Sequence, residues 1–382
     1  NIIKSFSAGT SLVKSKIDYS DAQLVSSSGG YYNSDTTTQN YNFKMTLSPW
    51  QGTSIVPSYS LTSADEKRKY FDASGGIESF KNKKYSKYAS ETASVSTALR
   101  LRPWLTPTAS YSVSVKENNN LSRTSYKAND TTYTFDIGDV KSINRSSEGN
   151  VGLSLNGRDM LPKSKLFSAL TISGSYRLQD GDAWENVPDS FESLDKLWLR
   201  SSMGINSPYS YRSSLTMRDT YSAAMRWSPF KEYGFSGMAA PIKTISVINN
   251  FSRSYQTTED LGSEYKTVTS TLPDVVFYID ELEKFFGSSG KALSGANLKL
   301  KYAFSTNETL GTDYKEDVAY GGDLRFVLFN YFDTTLSYTE QRQDKTDLKV
   351  NEPLATYLRK DCSAQTTFAL RAVRFTPQIT YI

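Results

Sequence analysis

The chain has no histidine and one cysteine in 382 residues. Without histidine there are no Ser-His or Cys-His nucleophilic dyads and no histidine metal sites. The single cysteine, Cys362, excludes an intrachain disulfide. It shares parity with Ala364, Thr366, Phe368 and Leu370, and reads as a small apolar residue on one strand face. No glycine-rich phosphate cradle follows a strand, because Gly152, Gly157 and Gly174 are too isolated; they suit points of curvature. The carboxylate pairs Asp180/Asp182 and Glu281/Glu283 fall in stretches expected to be loops. Asp180-Gly181-Asp182 lacks the spacing of a calcium loop and offers weak Ca²⁺ contact at most. These absences point away from an enzyme and require no cofactor or metal.

Long apolar runs are missing too. No stretch approaches the roughly 18 residues of a membrane helix, and mean hydropathy is −0.50. Hydrophobic content is 38%, low for a two-domain soluble core, yet aromatics reach 13% with 26 tyrosines. The charge, +4 from 44 basic and 40 acidic residues, is too balanced to argue for nucleic acid. Charged clusters such as Asp65-Glu66-Lys67-Arg68-Lys69 and Lys81-Asn82-Lys83-Lys84 read as solvated loop surface, with binding of anionic lipid headgroups as the sharper alternative.

Alternation fills the space left by these absences. In Asn297–Ser305, Leu298, Leu300, Tyr302 and Phe304 oppose Asn297, Lys299, Lys301 and Ser305. Successive side chains of a strand point to opposite faces, so the segment has an oily face and a wet face. The same pattern recurs: Tyr41, Phe43, Met45 and Leu47 against Asn42, Lys44, Thr46 and Ser48, and Ala109, Tyr111, Val113 and Val115 against Ser110, Ser112, Ser114 and Lys116. Segments of about ten residues, tilted by about 40°, span roughly 25 Å, the apolar height of an outer-membrane barrel. A soluble β-sandwich also alternates, but its wet face is not Ser, Thr, Lys and Arg over so many consecutive strands.

Two kinds of connection alternate. Short ones carry proline and aromatics, as in Ser48-Pro49-Trp50-Gln51-Gly52, Arg102-Pro103-Trp104, Trp227-Ser228-Pro229-Phe230, Asn330-Tyr331-Phe332 and Arg374-Phe375-Thr376-Pro377. Long polar ones cover 15–39, 63–90, 118–147, 179–194, 255–264 and 343–360. Short periplasmic turns and long outer loops describe a transmembrane barrel. The expectation is an all-β, antiparallel transmembrane β-barrel of about 16 strands, or an arc of a larger barrel, forming a single domain over 1–382. The non-Met start and the bare final strand suggest a portion of a longer chain. The least certain strand lies in 207–220, and strands are expected at 91–102, 149–158 and 165–178. Parity assigns Lys44, Arg100, Arg102, Lys116, Arg177, Arg226, Lys299, Lys301, Arg325 and Arg371 to the lumen. Trp50, Trp104, Trp227, Phe230, Tyr331, Phe332 and Phe375 are expected to anchor the periplasmic interface.

One segment breaks the pattern. Val275–Ile279 is apolar on both faces, and a short helical insertion is expected near 280–287, ended by Gly287. Leu282, Phe285 and Phe286 would share one face, either at the membrane rim or as a dock for another envelope protein or a plug subunit.

Arg212–Tyr221 with Arg226–Phe230, and Leu272–Val275 with Leu282–Lys284 and Ser294–Leu298, resemble later barrel strands of the SprA family, the giant outer-membrane translocon of type IX secretion. The resemblance covers 207–304. It implies a wide pore passing folded proteins to the cell surface, with partner proteins capping it. That family's barrel exceeds what this chain would close, so an arc or a shorter relative is implied, and no catalytic residue carries over. The leading expectation is therefore an outer-membrane export pore contacting the lipid bilayer and not nucleic acid. The alternatives are a porin or small-solute channel with a mildly basic lumen and a structural or adhesive envelope protein.

Overall fold

The computed structural model describes residues 2–18, 31–72, 79–120, 124–128, 130–136, 138–200, 203–260, 263–350, 352–370, 373–375 and 378–381. The expected all-β, antiparallel architecture is observed, with 16 strands in one sheet. In chain order the strands are β1 (Ile3–Asp18), β2 (Tyr31–Leu47), β3 (Ser54–Asp72), β4 (Ser79–Ala98), β5 (Leu105–Asn119), β6 (Thr124–Ala128), β7 (Thr131–Phe135), β8 (Val140–Asn156) and β9 (Leu170–Pro188). Then follow β10 (Tyr211–Trp227), β11 (Ser246–Asp260), β12 (Ser263–Ile279), β13 (Leu293–Thr309), β14 (Asp313–Leu328), β15 (Phe332–Asp347), β16 (Glu352–Leu370), β17 (Val373–Phe375) and β18 (Gln378–Tyr381). Neighbours in sequence are neighbours in the sheet, except that the β6–β7 hairpin stands apart and β5 pairs directly with β8. β16 pairs with both β17 and β18. Among the described residues β1 is not paired with β16, β17 or β18, so the sheet is an open arc.

The strands run far beyond the alternating segments. β3 and β4 continue through 63–72 and 79–90, β9 reaches Pro188, and β11 and β12 leave only 261–262 between them. Long stretches expected as loops are therefore paired strand. The physical reason is that alternation reports what the faces touch, not whether the backbone is extended. In the distal halves of β14 and β15 both faces are largely polar, while ladder hydrogen bonds continue and cross-strand charges add support, as between Lys345 and Asp313 (3.5 Å). The cluster 65–69 accordingly lies in β3 rather than in a loop, and 81–84 lies in β4.

Other boundaries shift. β4 ends at Ala98, so Arg100 and Arg102 sit in the following turn, where Arg102 and Leu105 exchange backbone hydrogen bonds. β8 ends at Asn156, and Gly157–Met160 forms a single helical turn, α1, capped by the Asn156 side chain. β9 therefore starts only at Leu170. The uncertain 207–220 segment becomes strand from Tyr211. The expected insertion is a 3₁₀ segment, Leu282–Lys291, broken at Gly287, where φ is +65°. Its backbone sits in the left-handed region that glycine adopts freely.

Candidate functional site

Paired residues of adjacent antiparallel strands share a face, so the register assigns every side chain in the sheet. One face is hydroxyl-rich. Ser58, Ser94 and Ser112 form a row that continues into Glu148 and Gln179. Ser58 and Ser94 hydroxyls are 2.7 Å apart, as are those of Ser175 and Ser222. On this face lies a hollow of about 540 Å³ lined by residues from β5, β8, β9, β10, β11 and β12, among them Thr108, Asn150, Ser175, Ser222, Asn250 and Asp274. A hollow shared by six neighbouring strands fits a sheet that curls with its polar face inward.

Most of the basic residues assigned by parity occupy this concave face. Lys44 lies opposite Ser58, Lys116 opposite Ser90, and Arg226 opposite Thr171. Arg177 makes a two-pronged bond to Glu148 (2.8 and 2.7 Å), Lys299 lies 3.8 Å from Asp323, and Arg325 grips Asp333 (3.0 and 2.6 Å). Lys301 lies opposite Gly321. Gly321 is required there, because a Cβ would meet the Tyr338 carbonyl oxygen at 2.3 Å. Arg100 and Arg102 lie in the turn beyond β4, and Arg371 falls outside the described residues.

The convex face carries an exposed apolar belt. Val151, Leu153, Ile172, Leu300, Tyr302 and Leu336 are all exposed. At a definite level the belt ends. Tyr41 gives way to Gln39 on β2, Leu178 to Asp180 on β9, Tyr221 to Asp219 on β10, Phe304 to Thr306 on β13 and Tyr338 to Glu340 on β15. The belt is about seven to nine residues deep, roughly 23–30 Å along a strand. Tyrosines mark this rim. Tyr59 donates to Glu91 (2.8 Å), Tyr176 to Asp219 (3.1 Å) and Tyr41 to Gln39 (3.0 Å), while Tyr338 donates to Glu340. Tyr176, Tyr221 and Tyr255 follow one another at centroid spacings of 4.7 and 6.4 Å. Sequence reasoning missed this rim. Its signal was present: a tyrosine two residues from an acid or amide on the same strand face, as in Tyr338/Glu340 and Tyr41/Gln39.

Above the rim, the segment 189–200 between β9 and β10 folds back onto the convex face. Leu197 and Phe191 pack against a buried cluster of Val113, Val115, Ile143, Val187 and Met203. Beside it Arg145 is buried, with its Nη2 2.7 Å from Asp180 and its Nε 2.8 Å from Asp182. Its Nη1 donates to the Trp198 carbonyl (2.6 Å), and the Arg200 amide donates to Asp180 (2.6 Å). Asp180 and Asp182 thus hold an arginine on a strand, rather than forming a loose loop suited to calcium. Lys196 reaches Glu117 (2.8 Å) and Glu91 (3.2 Å), and Lys141 reaches the other Glu117 oxygen (2.8 Å). Burial alone would push the Glu117 carboxyl up, but the two ammonium groups overcome it and hold it below the ordinary glutamate range. Among the described residues no cluster of three or more acidic or thiol ligands is arranged for a metal.

The aromatic residues of the short connections gather at the opposite end. Trp227 donates to the Leu166 carbonyl (2.8 Å) and stacks on Phe167, and Phe230 joins Tyr233 and Phe235 at 6.1 Å each. Trp50, Tyr331 and Phe332 are exposed at their turns, and Trp104 is half-buried in its turn. Phe375 lies in β17. In the 3₁₀ segment Leu282 is half-buried while Phe285 and Phe286 are exposed. Glu283 of that segment accepts from the Ala296 amide (2.9 Å), tying it to β13.

No protein-family model matches this sequence, and no curated protein matches it. Among solved structures, the outer membrane transporter YddB from Escherichia coli aligns over 95% of this chain and 59% of its own, at 9% identity and a TM-score of 0.35. The FpvAI–pyocin S2 complex aligns over 89% of this chain and 54% of the matched one, at 11% identity and a TM-score of 0.29. The chain therefore spans less than two thirds of each of these structures. At these scores the likeness adds nothing to the geometry above.

Proposed function

We propose that this sheet is the membrane-spanning wall, or an arc of the wall, of a pore in the bacterial outer membrane. The observation that carries this reading is the banding of the convex face: an exposed apolar belt, a tyrosine rim on one side and turn aromatics on the other, behind a hydroxyl-rich concave face. In water such a belt is costly, since large exposed apolar patches mark surfaces that meet another apolar phase. In a bilayer it is the stable arrangement, because the ladder satisfies the backbone and the belt meets acyl chains. Trp50, Trp104, Trp227, Phe230, Tyr331, Phe332 and Phe375 then serve as periplasmic anchors. The concave face, with Lys44, Lys116, Arg177, Arg226, Lys299, Lys301 and Arg325, lines the water-filled side.

The finer reading is a protein-export translocon of the type IX kind. It is supported by the resemblance over 207–304 and by an arc that suits a wide lumen. Envelope proteins or plug subunits would dock near Leu282, Phe285 and Phe286. A porin of basic lumen is the second reading, favoured by the cations on the concave face. The pairing of Arg177, Lys299 and Arg325 with carboxylates weakens its anion selectivity. A structural or adhesive envelope protein is the third. Planar-bilayer recording separates them. A very large or plugged conductance is expected for the translocon. A small, steady, anion-selective conductance would favour the porin, and absence of conductance in a bilayer-inserted protein would favour the structural role.

A further inference from the structure

The segment 189–200 has an inner side that the wall explains and an outer side that it does not. Leu197, Phe191 and Lys196 face the sheet, whereas Leu194 is 77% exposed and Trp198 66% exposed. They follow from the local fold. A single 3₁₀ turn, Leu194–Leu197, capped by the Ser193 hydroxyl, puts Leu197 against the wall. The depth of this strap is fixed at several points. Tyr111 donates to the Leu197 carbonyl, Arg145 to the Trp198 carbonyl, and Asp180 accepts the Arg200 amide. Leu199 methyls sit over Gly149, 3.4 Å from where a Cβ would stand. Gly149 and its strand neighbours Tyr111 and Leu178 form the last row of the convex face before Ser147 and Asp180. The Trp198 carbonyl on Arg145 and its neighbour Leu199 over Gly149 therefore hold Trp198 near the rim, where the next convex residue of β8 is exposed Val151.

We infer that Trp198 forms a lipid-contacting foot, seated in the headgroup–acyl boundary of the outer leaflet. This rests on the membrane reading given above and adds a named contact to it. A bilayer is the occupant because the strap residues flanking Trp198 are tied at the last row of the apolar belt, Leu197 to Tyr111 and Leu199 over Gly149. Tryptophan also favours that boundary, where its ring is apolar and its N–H finds water or headgroup oxygen. The strap covers Arg145, Asp180 and Asp182, which could not face acyl chains, so the lipid must stop at its lower edge. The buried ion pairs thus set how deep the foot sits.

The test is quenching of tryptophan fluorescence by brominated phospholipids in vesicles, comparing the intact chain with Trp198→Phe and Trp227→Phe. The phenyl ring keeps an apolar body at 198, and far-UV circular dichroism checks the fold of each variant. Shallow bromines are expected to quench the intact protein more than deep ones, and Trp198→Phe is expected to remove a share of that shallow quenching. Unchanged shallow quenching in Trp198→Phe, with a share lost in Trp227→Phe, would overturn the foot while leaving the membrane wall standing. No quenching in any form would overturn the membrane reading itself, and the foot with it.

Discussion

At the scale of single residues, position on the sheet decides what a substitution costs. Leu300 and Lys299 are adjacent in sequence and opposite in face. Leu300 lies over Gly322 on the convex side, exposed to 45%. Lys299 lies beside Asp323 on the concave side. Leu300→Arg places a cation in the middle of the belt and is expected to cost about 2–4 kcal/mol in bilayers, whereas Lys299→Arg keeps its charge in water and should be near neutral. Denaturant titration of folding into vesicles measures both; equal effects would sink the assignment of faces. Parity in the sequence was enough to make this distinction. It was not enough for Arg100 and Arg102, because alternation says nothing about where hydrogen bonding stops. The turn at 99–104 was set by the Leu99 amide reaching back to Pro107.

At the scale of elements, the strap behaves as a unit held by charge. Glu117 bridges Lys196 of the strap and Lys141 of β8. Its folded-state pKa lies below its unfolded value, so it stabilises the docked strap at pH above the ordinary glutamate range near 4.5. That contribution is lost as pH falls through the depressed value. Hydrogen exchange of the strap amides, corrected for intrinsic rates, should therefore show protection at neutral pH that falls on acidification. Glu117→Gln should lower protection at neutral pH and flatten the acid dependence, since a neutral amide has no proton to gain. A strap whose protection tracks pH identically in both forms would exclude this role. Nothing in the local residue pattern signals the strap. Residues 179–194 looked like an ordinary polar loop, and only three-dimensional proximity brings Arg145 of β8 to Asp180 and Asp182 of β9, 35 and 37 positions away.

At the scale of the whole molecule, the open arc is the governing fact. Among the described residues β1 pairs with β2 alone, and its side chains Phe6, Leu12 and Val13 are exposed. An antiparallel edge strand leaves every second N–H and C=O without a ladder partner, a template for pairing with another strand. For this chain by itself in detergent, the outward amides of β1 are expected to exchange without protection, while those of β2 on either side are protected. Protection of both sets would mean that another strand covers the edge. In the proposed pore wall the same edges decide the size of the lumen, because a sheet of fixed tilt encloses a width that grows with the number of strands.

The sequence by itself determined the strand type, the antiparallel order, the two faces and the end where aromatics gather. It could do so because each follows from period-two alternation and from proline and aromatic placement between near neighbours in the chain. Only the tertiary structure decided how far the polar strand halves extend, that the sheet curls with its hydroxyl face inward, that tyrosines close the belt, and that a strap seals a buried arginine above it. Those features depend on contacts between strands far apart in the chain, where the interaction energy comes from register and burial rather than from local pattern.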